Sequence, residues 1–262
     1  MVLEVIDLYG FDFHEGILIL PRGDKPHPLV VYPHGGPHSI SLAAWSRISH
    51  ALLTLSGFAV LLVNYRGSIG FGDNFVHSLL GNCGDFDVKD VHNSVLNILR
   101  KVENIDENNI FVMGSSHGGF LASNLIGQYP GFYKACVAIN PVLNVCSMFD
   151  LSDIADWAAV EGLGVDVDWC KMPTIEQRQK MHECSPVAHV HKVITPYMLA
   201  IGAKDLRVVD HSRSFIRNLL ARDIPTKVLI YPNSNHCIEE VECNADLMIN
   251  AVLWFYLHSH HT

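Results

Sequence analysis

Short apolar segments alternate along this chain with longer segments in which apolar residues recur every three or four positions. The short segments are rich in β-branched residues and predict buried strands at residues 29–32, 59–64, 110–113, 136–139, 197–201 and 227–231. The longer segments predict helices at about residues 42–55, 88–102, 118–128, 211–222 and 246–258. This alternation favours a mostly parallel, twisted sheet with helices on both faces, which is the α/β class.

Two departures from the alternation bear on the domain organisation. Residues 2–8 and 16–20 predict two strands joined by a turn at about 10–15, which would form an antiparallel leading edge of the sheet. The segment 148–186 carries two tryptophans and paired acidic residues without a clear period, and we expect a small irregular insert or lid there. A length of 262 residues suits one α/β domain, so we expect residues 1–262 to form a single domain.

Composition and charge argue against several classes of protein. Hydrophobic residues make up 49% of the chain and charged residues 17%, which supplies a large core and argues against disorder. The net charge is −9 and the basic residues are scattered, so we expect no nucleic-acid partner. No apolar run reaches the roughly 18 residues of a membrane span, and Glu4 falls where a secretory signal carries basic residues. We therefore expect a cytoplasmic protein that does not bind membranes.

The cysteines bear on cofactors and on the redox compartment. There are seven, an odd number, and none forms a CxxC spacing, so reduced thiols fit better than a disulfide framework or a zinc ribbon. We expect neither a metal nor an organic cofactor. The sequence is compatible with a homo-oligomer.

The clearest chemical signal is a glycine-rich turn between an apolar strand and a helix. Residues 114–118 (GSSHG) match the Gly-x-Ser-x-Gly pattern of a nucleophile elbow, where small residues flank a serine in a strained conformation. Ser116 has Gly114 and Gly118 at the small positions, whereas Ser115 would have bulkier neighbours there. We therefore expect an α/β-hydrolase fold with Ser116 as its nucleophile; the alternative is a plain glycine-rich turn.

A serine nucleophile needs a histidine base and a carboxylate that orients the base. In α/β hydrolases these two follow the serine in the order acid, then histidine, on loops after later strands. Asp205 is the only carboxylate in the loop 202–207, and His236 is the only imidazole in the loop 232–236. We predict Asp205 as the acid and choose His236 among 16 histidines because the other candidates lie before the elbow, within it, or away from this loop.

A second glycine-rich turn, residues 33–39 (PHGGPHS), follows the strand predicted at 29–32. Such a turn at the carboxyl end of a strand lets a backbone N–H approach a substrate oxyanion, together with the N–H of the residue after the nucleophile. We assign these two donors to Gly36 and His117. A plain tight turn is the alternative.

Five segments together resemble the prolyl oligopeptidase family, most closely its acylaminoacyl-peptidase branch. They are residues 33–39 (PHGGPHS), 63–72 (VNYRGSIGFG), 114–120 (GSSHGGF), 201–208 (IGAKDLRV) and the His236 loop. The resemblance implies a serine peptidase that acts on short peptides and releases an N-acylated amino acid from the peptide N-terminus through an acyl-enzyme. It also implies that Arg207 hydrogen-bonds a substrate carbonyl. The pocket for the side chain before the scissile bond would be lined by Val142, Val145 and Val208.

One departure from the family leaves the substrate open. Family members carry a β-propeller ahead of the hydrolase domain, and it screens substrates by size, whereas this chain begins almost at the hydrolase domain. We therefore expect the propeller to be absent. Two other functions remain as alternatives: a carboxylesterase that uses the same triad on small acyl esters, and a non-catalytic binding or scaffold protein that retains the fold.

Overall fold

The computed structural model describes residues 2–8, 14–23, 25–44 and 48–259. Within these residues one sheet of eight strands forms, in the order β1-β2-β4-β3-β5-β6-β7-β8. The strands are β1 (Val2–Leu8), β2 (His14–Leu20), β3 (His27–Val31), β4 (Ala59–Val63), β5 (Ile105–Ser115), β6 (Cys136–Ile139), β7 (Tyr197–Gly202) and β8 (Thr226–Tyr231).

Most of the sheet is parallel. Strand β3 pairs in parallel with β4 and β5, and β5 to β8 continue in parallel, each beside the next. Strand β2 runs antiparallel to both β1 and β4. The predicted mostly parallel sheet with an antiparallel leading edge is therefore confirmed. The carboxyl ends of β3, β5, β6, β7 and β8 consequently meet at one edge of the sheet, where open α/β sheets bind their ligands.

Helices cover both faces of the sheet. They are α1 (Ile48–Leu55), α2 (Asp73–His77), α3 (Phe86–Lys101), α4 (His117–Gln128), α5 (Val145–Leu151), α6 (Ala155–Leu163), α7 (Ile175–Glu183), α8 (Pro186–His189), α9 (Arg213–Ala221) and α10 (Val241–Leu257). Single 3₁₀ turns lie at Val190–Lys192 and Val209–His211. None of the helices within the described residues has the length and apolar character needed to cross a bilayer.

Alternate side chains of the central strand β5 enter two separate cores. Ile110 and Val112 belong to the core beneath α3, α4 and α9, whereas Phe111 and Met113 belong to the core beneath α1 and α10. All four are buried to within 1% of full burial, as expected for a strand covered on both faces. Strand β5 is therefore packed on both faces of the sheet along the residues that lead to the turn at Ser116.

The segment 148–186, predicted to be irregular, is mostly helical, and that expectation was wrong. Helices α5, α6 and α7 occupy most of it. Gly164 caps the C-terminus of α6 in a left-handed conformation with φ 71°, and Thr174 caps the N-terminus of α7 in a capping box with Gln177. These short helices carry little amphipathic period, so the hydrophobic pattern did not distinguish them from loops.

Other boundaries differ from the sequence-based expectation by a few residues. The helix expected at 42–55 begins at Ile48; residues 42–44 lie outside it, and 45–47 lie outside the described residues. Helix α10 begins at Val241, five residues before the expected start, and the short helix α2 was not predicted. Most of the turn expected at 10–15 also lies outside the described residues.

Candidate active site

The turn between β5 and α4 holds Ser116 in a strained conformation. Its φ of 57° and ψ of −121° place a non-glycine residue in a region that costs about 1–3 kcal/mol. A Cβ atom on Gly114 would lie 2.2 Å from the carbonyl oxygen of Gly118, and one on Gly118 would lie 2.3 Å from that of Pro33. The elbow can therefore form only with glycine at both positions, which is the physical content of the Gly-x-Ser-x-Gly pattern.

The structure brings Ser116, His236 and Asp205 into a continuous hydrogen-bonded relay. The Nε2 atom of His236 lies 2.9 Å from Ser116 Oγ, and its Nδ1 atom lies 2.8 Å from Asp205 Oδ2. Because a carboxylate only accepts, Nδ1 carries the proton and Nε2 is left to accept the hydrogen bond of the Ser116 hydroxyl. The relay lies at the carboxyl ends of β5, β7 and β8, on the loops where sequence order placed its members.

Asp205 is fixed as well as buried. Only 1% of the residue is exposed. Its Oδ1 atom accepts the backbone N–H of Arg207 at 2.7 Å and that of Val208 at 3.3 Å, which leaves Oδ2 for His236. The turn that follows β7 therefore aims one carboxylate oxygen at the imidazole, and a buried negative charge gains the partners that such burial requires.

Asn140, which the sequence analysis did not identify, ties the histidine loop to the sheet. It follows β6, is fully buried and has a φ of 39°. Its Nδ2 donates to the carbonyl oxygens of His236 at 2.8 Å and Asn235 at 3.3 Å, and its Oδ1 accepts the N–H of Gly202 at 2.9 Å. One side chain thus links the ends of β6, β7 and β8. An asparagine directly after a buried strand, where left-handed conformations are tolerated, was the available signal.

The glycine-rich turn after β3 packs against the elbow. A Cβ on Gly35 would lie 3.1 Å from the Ser115 carbonyl oxygen and 3.5 Å from Ser116 Cβ, so this backbone directly adjoins Ser116. Gly36 has a φ of 128°, a conformation that favours glycine. Gly36 and His117, the two predicted oxyanion donors, therefore flank Ser116 from separate segments of chain.

Buried side chains hold this turn from beneath. The carbonyl oxygen of His34 accepts the hydroxyl of Tyr65 at 2.7 Å, and His34 Nδ1 donates to the carbonyl of Gly35 at 2.8 Å. Burial lowers the pKa of His34 to about 4, so its ring is neutral at neutral pH and its Nε2 accepts from the Ser68 hydroxyl at 2.7 Å. Since the N–H and C=O of a trans peptide point in opposite directions, the Gly36 N–H points away from the His34 ring.

The side chain of His117 is anchored in the core by a second carboxylate. Its Nε2 lies 2.9 Å from Asp87 Oδ2, and both side chains are at most 1% exposed. Cys83 Sγ lies 3.6 Å from the same oxygen, while Asp87 Oδ1 accepts the N–H groups of Gly84 and Val88. Burial, the largest cause, and the nearby Asp87 raise the pKa of the Cys83 thiol.

Cys83, Asp87 and His117 are the residues that could hold a metal among those the structure describes, with one ligand atom from each within 4.8 Å of the others. The chemistry of the set suits zinc. Each of these atoms already takes part in a hydrogen bond, however, so the cluster works as a network that fixes the first turn of α4.

A cavity of about 560 Å³ opens beside Ser116 and His236. Its walls include Val142 and Arg207, as expected from the sequence, together with Met148, Ile154 and Trp157 from the segment after β6. The other two expected pocket residues are not among the lining residues. Val145 is fully buried at the start of α5, and Val208 is buried in the turn that binds Asp205, so both belong to the core behind the wall.

Arg207 has a partner that the sequence analysis missed. Its Nε and Nη2 atoms donate to the two carboxylate oxygens of Asp153 at 3.1 and 3.0 Å. Arg207 lowers the pKa of Asp153, chiefly through this hydrogen bonding. A guanidinium has five N–H donors in a fixed fork, so the pairing with Asp153 orients the group and leaves donors for a ligand in the cavity.

The eight-stranded sheet, the elbow and the Ser–His–Asp relay together define an α/β hydrolase of the serine type. Comparison with known proteins is consistent with this class. Residues 45–260 match the model of the prolyl oligopeptidase family. The chain therefore belongs to the prolyl oligopeptidase family, as its motifs predicted.

Sequence comparison also identifies individual relatives. The chain is 45% identical over 259 residues to the acylamino-acid-releasing enzyme of Rattus norvegicus and 44% identical to that of Homo sapiens. In Arabidopsis thaliana the acylamino-acid-releasing enzyme is 38% identical over 232 residues. The two mammalian alignments cover 97% of this chain but 35% of each relative, and the plant alignment covers 88% and 30%. The chain thus spans about a third of the length of these relatives.

Solved structures share the fold at lower sequence identity. The acylaminoacyl peptidase of Pyrococcus horikoshii superposes with a TM-score of 0.87 at 21% identity, covering 98% of this chain and 42% of that one. A puromycin-hydrolysing peptidase of Mycobacterium tuberculosis gives a TM-score of 0.88 at 20% identity, covering 98% and 39%. These likenesses confirm the predicted α/β-hydrolase fold.

Proposed function

We propose that this protein hydrolyses short peptides and releases an N-acylated amino acid from the peptide N-terminus. The observation that carries the proposal is the relay of 2.9 Å and 2.8 Å contacts from Ser116 through His236 to Asp205. The family membership and the relatives named acylamino-acid-releasing enzymes support the peptide substrate and the acyl group.

In the proposed reaction His236 acts first as base and then as acid. It accepts the Ser116 proton at Nε2 as the hydroxyl oxygen attacks the scissile carbonyl carbon, while Asp205 stabilises the imidazolium through Nδ1–H. The tetrahedral intermediate collapses when His236 donates its proton to the leaving amine, which breaks the C–N bond and leaves an ester on Ser116. Water then attacks this acyl-enzyme with the same proton transfers and releases the acylated amino acid.

The developing oxyanion is bound, in this proposal, by the backbone N–H groups of Gly36 and His117. His117 is the first residue of α4, whose positive dipole end faces the elbow and favours negative charge there. The two donors stay in place because the turn at Gly36 and the side chain of His117 are both anchored. Removal of a single oxyanion donor costs roughly 10²–10³ in rate in comparable enzymes.

The cavity next to Ser116 supplies the features that an acylated peptide requires. Its apolar wall, including Val142 and Trp157, suits the side chain before the scissile bond. We assign Arg207, which Asp153 orients and which lines the cavity, to donating to a carbonyl of the acyl group or the peptide. We assign Val145 and Val208 to shaping this wall from behind, since both pack in the core beneath it. We propose a cytoplasmic location, and we propose that the sheet and its helices form one hydrolase domain.

The first experiment asks whether Ser116 is a nucleophile. Fluorophosphonate should label the wild type and the Ser115→Ala control but not Ser116→Ala, because the neighbouring serine has no contact with the histidine of the relay in the proposed mechanism. Ser116→Ala should lower kcat by roughly 10⁴-fold or more. Equal labelling of Ser116→Ala and wild type would refute the serine mechanism.

A second experiment tests the substrate class. Acetyl-amino-acid anilides and short acetylated peptides are compared with p-nitrophenyl esters at equal enzyme concentration. We expect turnover of the acetylated amides, with release of the acetyl-amino acid detected by chromatography. Ester cleavage without detectable cleavage of any acetylated amide would instead assign the protein as a carboxylesterase.

A further inference from the structure

Helix α6 of the segment after β6 directs two side chains at the glycine-rich turn. Trp157 and Glu161 are four residues apart and so lie on one face of the helix. Both contact the turn at residues 33–39, which is more than 100 residues earlier in the chain. The helix itself is tied to the loop before α3, because Gly81 donates its backbone N–H to the Glu161 carbonyl at 3.0 Å.

Trp157 contacts both of the residues whose backbone N–H groups are the proposed oxyanion donors. Its indole Nε1 donates to the carbonyl oxygen of Gly36 at 3.1 Å. Its ring meets the His117 imidazole edge-to-face, with 5.7 Å between ring centroids. The proposed donor N–H of Gly36 belongs to the peptide between Gly35 and Gly36, whereas the Gly36 carbonyl belongs to the next peptide along the chain. A hydrogen bond to this carbonyl therefore fixes the rotation about the backbone bonds of Gly36. A glycine with a φ of 128° has no side chain to fix that rotation itself.

Glu161 holds the same turn two residues further on. Its Oε1 atom lies 3.0 Å from His38 Nε2, and only 3% of the residue is exposed. His38 Nδ1 donates to the carbonyl oxygen of Gly67 at 2.8 Å, so both ring nitrogens face acceptors and the protonated ring satisfies both. Glu161 accordingly raises the pKa of His38, mainly through this hydrogen bond.

The burial of Glu161 is costly and calls for an explanation. Its Oε2 atom is buried and has no hydrogen-bond partner among the described residues. A buried carboxylate with one unsatisfied oxygen destabilises a fold relative to an apolar side chain of similar size. A role in holding His38 accounts for a carboxylate at this position, whereas stability alone does not.

We propose that Trp157 and Glu161 are positioning residues: together they clamp the turn at Gly36 and His38 so that the oxyanion-binding geometry is preformed. The inference rests on the proposed function, because it assigns a purpose to the geometry around Gly36. In this proposal α6 contributes to the geometry of the active site, in addition to covering the edge of the sheet.

The Trp157→Phe variant tests the indole hydrogen bond, and Trp169→Phe, an exposed tryptophan of the same segment, is its matched control. Phenylalanine retains an aromatic ring against His117 but cannot donate to Gly36. We expect kcat to fall by roughly tenfold to a hundredfold, less than for loss of a donor itself, with KM within about twofold of wild type. Trp169→Phe should behave as wild type. A Trp157→Phe variant with unchanged kcat would overturn the proposal.

The Glu161→Gln variant tests the ion pair through the pH profile of kcat. Among the described residues, the groups that face the His38 ring are the Glu161 carboxylate, which lies on α6, and the neutral carbonyl of Gly67, which lies in the loop after β4. Because Glu161 raises the pKa of His38, the pair is intact below that raised pKa and is lost as the pH rises through it. In Glu161→Gln the pKa of His38 falls back toward about 6.5, so kcat should begin to decline at lower pH than in wild type.

The acidic limb of the profile should not move in Glu161→Gln, because Glu161 contacts His38 rather than the relay. A merely structural role for Glu161 would lower the melting temperature and the yield of active enzyme without shifting the alkaline limb, so an unshifted alkaline limb refutes the inference. Active enzyme is counted by fluorophosphonate titration of Ser116. If wild type fails to label or to turn over any substrate, the proposed function fails; if wild type is active and the variants match it, only the clamp fails.

Discussion

Asn140 offers the sharpest test of how the relay is held, because one buried amide supports the ends of three strands. Its side chain makes hydrogen bonds of 2.9, 2.8 and 3.3 Å with Gly202, His236 and Asn235. Asn140→Gly removes all three without strain at the positive φ. At a net value of about 1 kcal/mol per bond, the free energy of unfolding should fall by roughly 3 kcal/mol. Asn140→Ala should lose about 1 kcal/mol more, because alanine is strained at a positive φ.

Asn140→Asp separates the role in activity from the role in stability. The carboxylate still accepts the N–H of Gly202, but it places an oxygen where Nδ2 donated to the carbonyl of His236. The histidine loop should move, and kcat should fall by about tenfold or more, since 1.4 kcal/mol lost from the productive geometry is a factor of ten. Urea unfolding and steady-state kinetics measure the two effects. An Asn140→Asp variant with wild-type kcat and stability would refute the reasoning.

Three further predictions concern the elbow and the cavity. Gly118→Ala should lower the free energy of unfolding by about 2–3 kcal/mol in urea titration, because its Cβ would lie 2.3 Å from the Pro33 carbonyl oxygen. Arg207→Lys loses the fork that Asp153 orients, so KM for acetylated peptides should rise about fivefold with little change in kcat. N-ethylmaleimide should inactivate wild type but not Cys237→Ser, because Cys237 is an exposed cysteine in the cavity wall.

Each of these three has a result that would contradict it. Wild-type stability of Gly118→Ala would mean that the elbow is looser than its contacts indicate. A fall in kcat with unchanged KM for Arg207→Lys would indicate that Arg207 acts in the chemical step rather than in substrate binding. Cys170→Ser is the control for the maleimide experiment, since Cys170 is exposed outside the cavity and its loss should leave the inactivation intact.

The parts of the site that could be predicted from the sequence are those set by local chain geometry. A serine between glycines after an apolar strand specifies the elbow, because no larger residue fits at Gly114 or Gly118. Asp205 and His236 could be chosen because parallel strands deliver the loops after them to one edge of the sheet. The structure brings these residues together within hydrogen-bonding distance.

The residues that escaped prediction act across long separations in the chain. Asn140 contacts a loop 96 residues later, and Trp157 contacts a carbonyl 121 residues earlier. No local pattern in the sequence predicts such contacts. The contact of Trp157, for example, depends on how α6 lies against the sheet. Helix α6 was not predicted for a related reason. Its short run of small and apolar residues lacks the three-to-four-residue period that predicted the longer helices.

The relay joins residues that are far apart in the chain, with Ser116 and His236 separated by 120 positions. Its members follow β5, β7 and β8, so the relay exists only after the last strand has docked beside β7. Contacts of such long range form late and slowly during folding. Under the proposed mechanism, Ser116 should therefore react with fluorophosphonate only after β8 has paired with β7. Recovery of this labelling during refolding would report completion of the sheet.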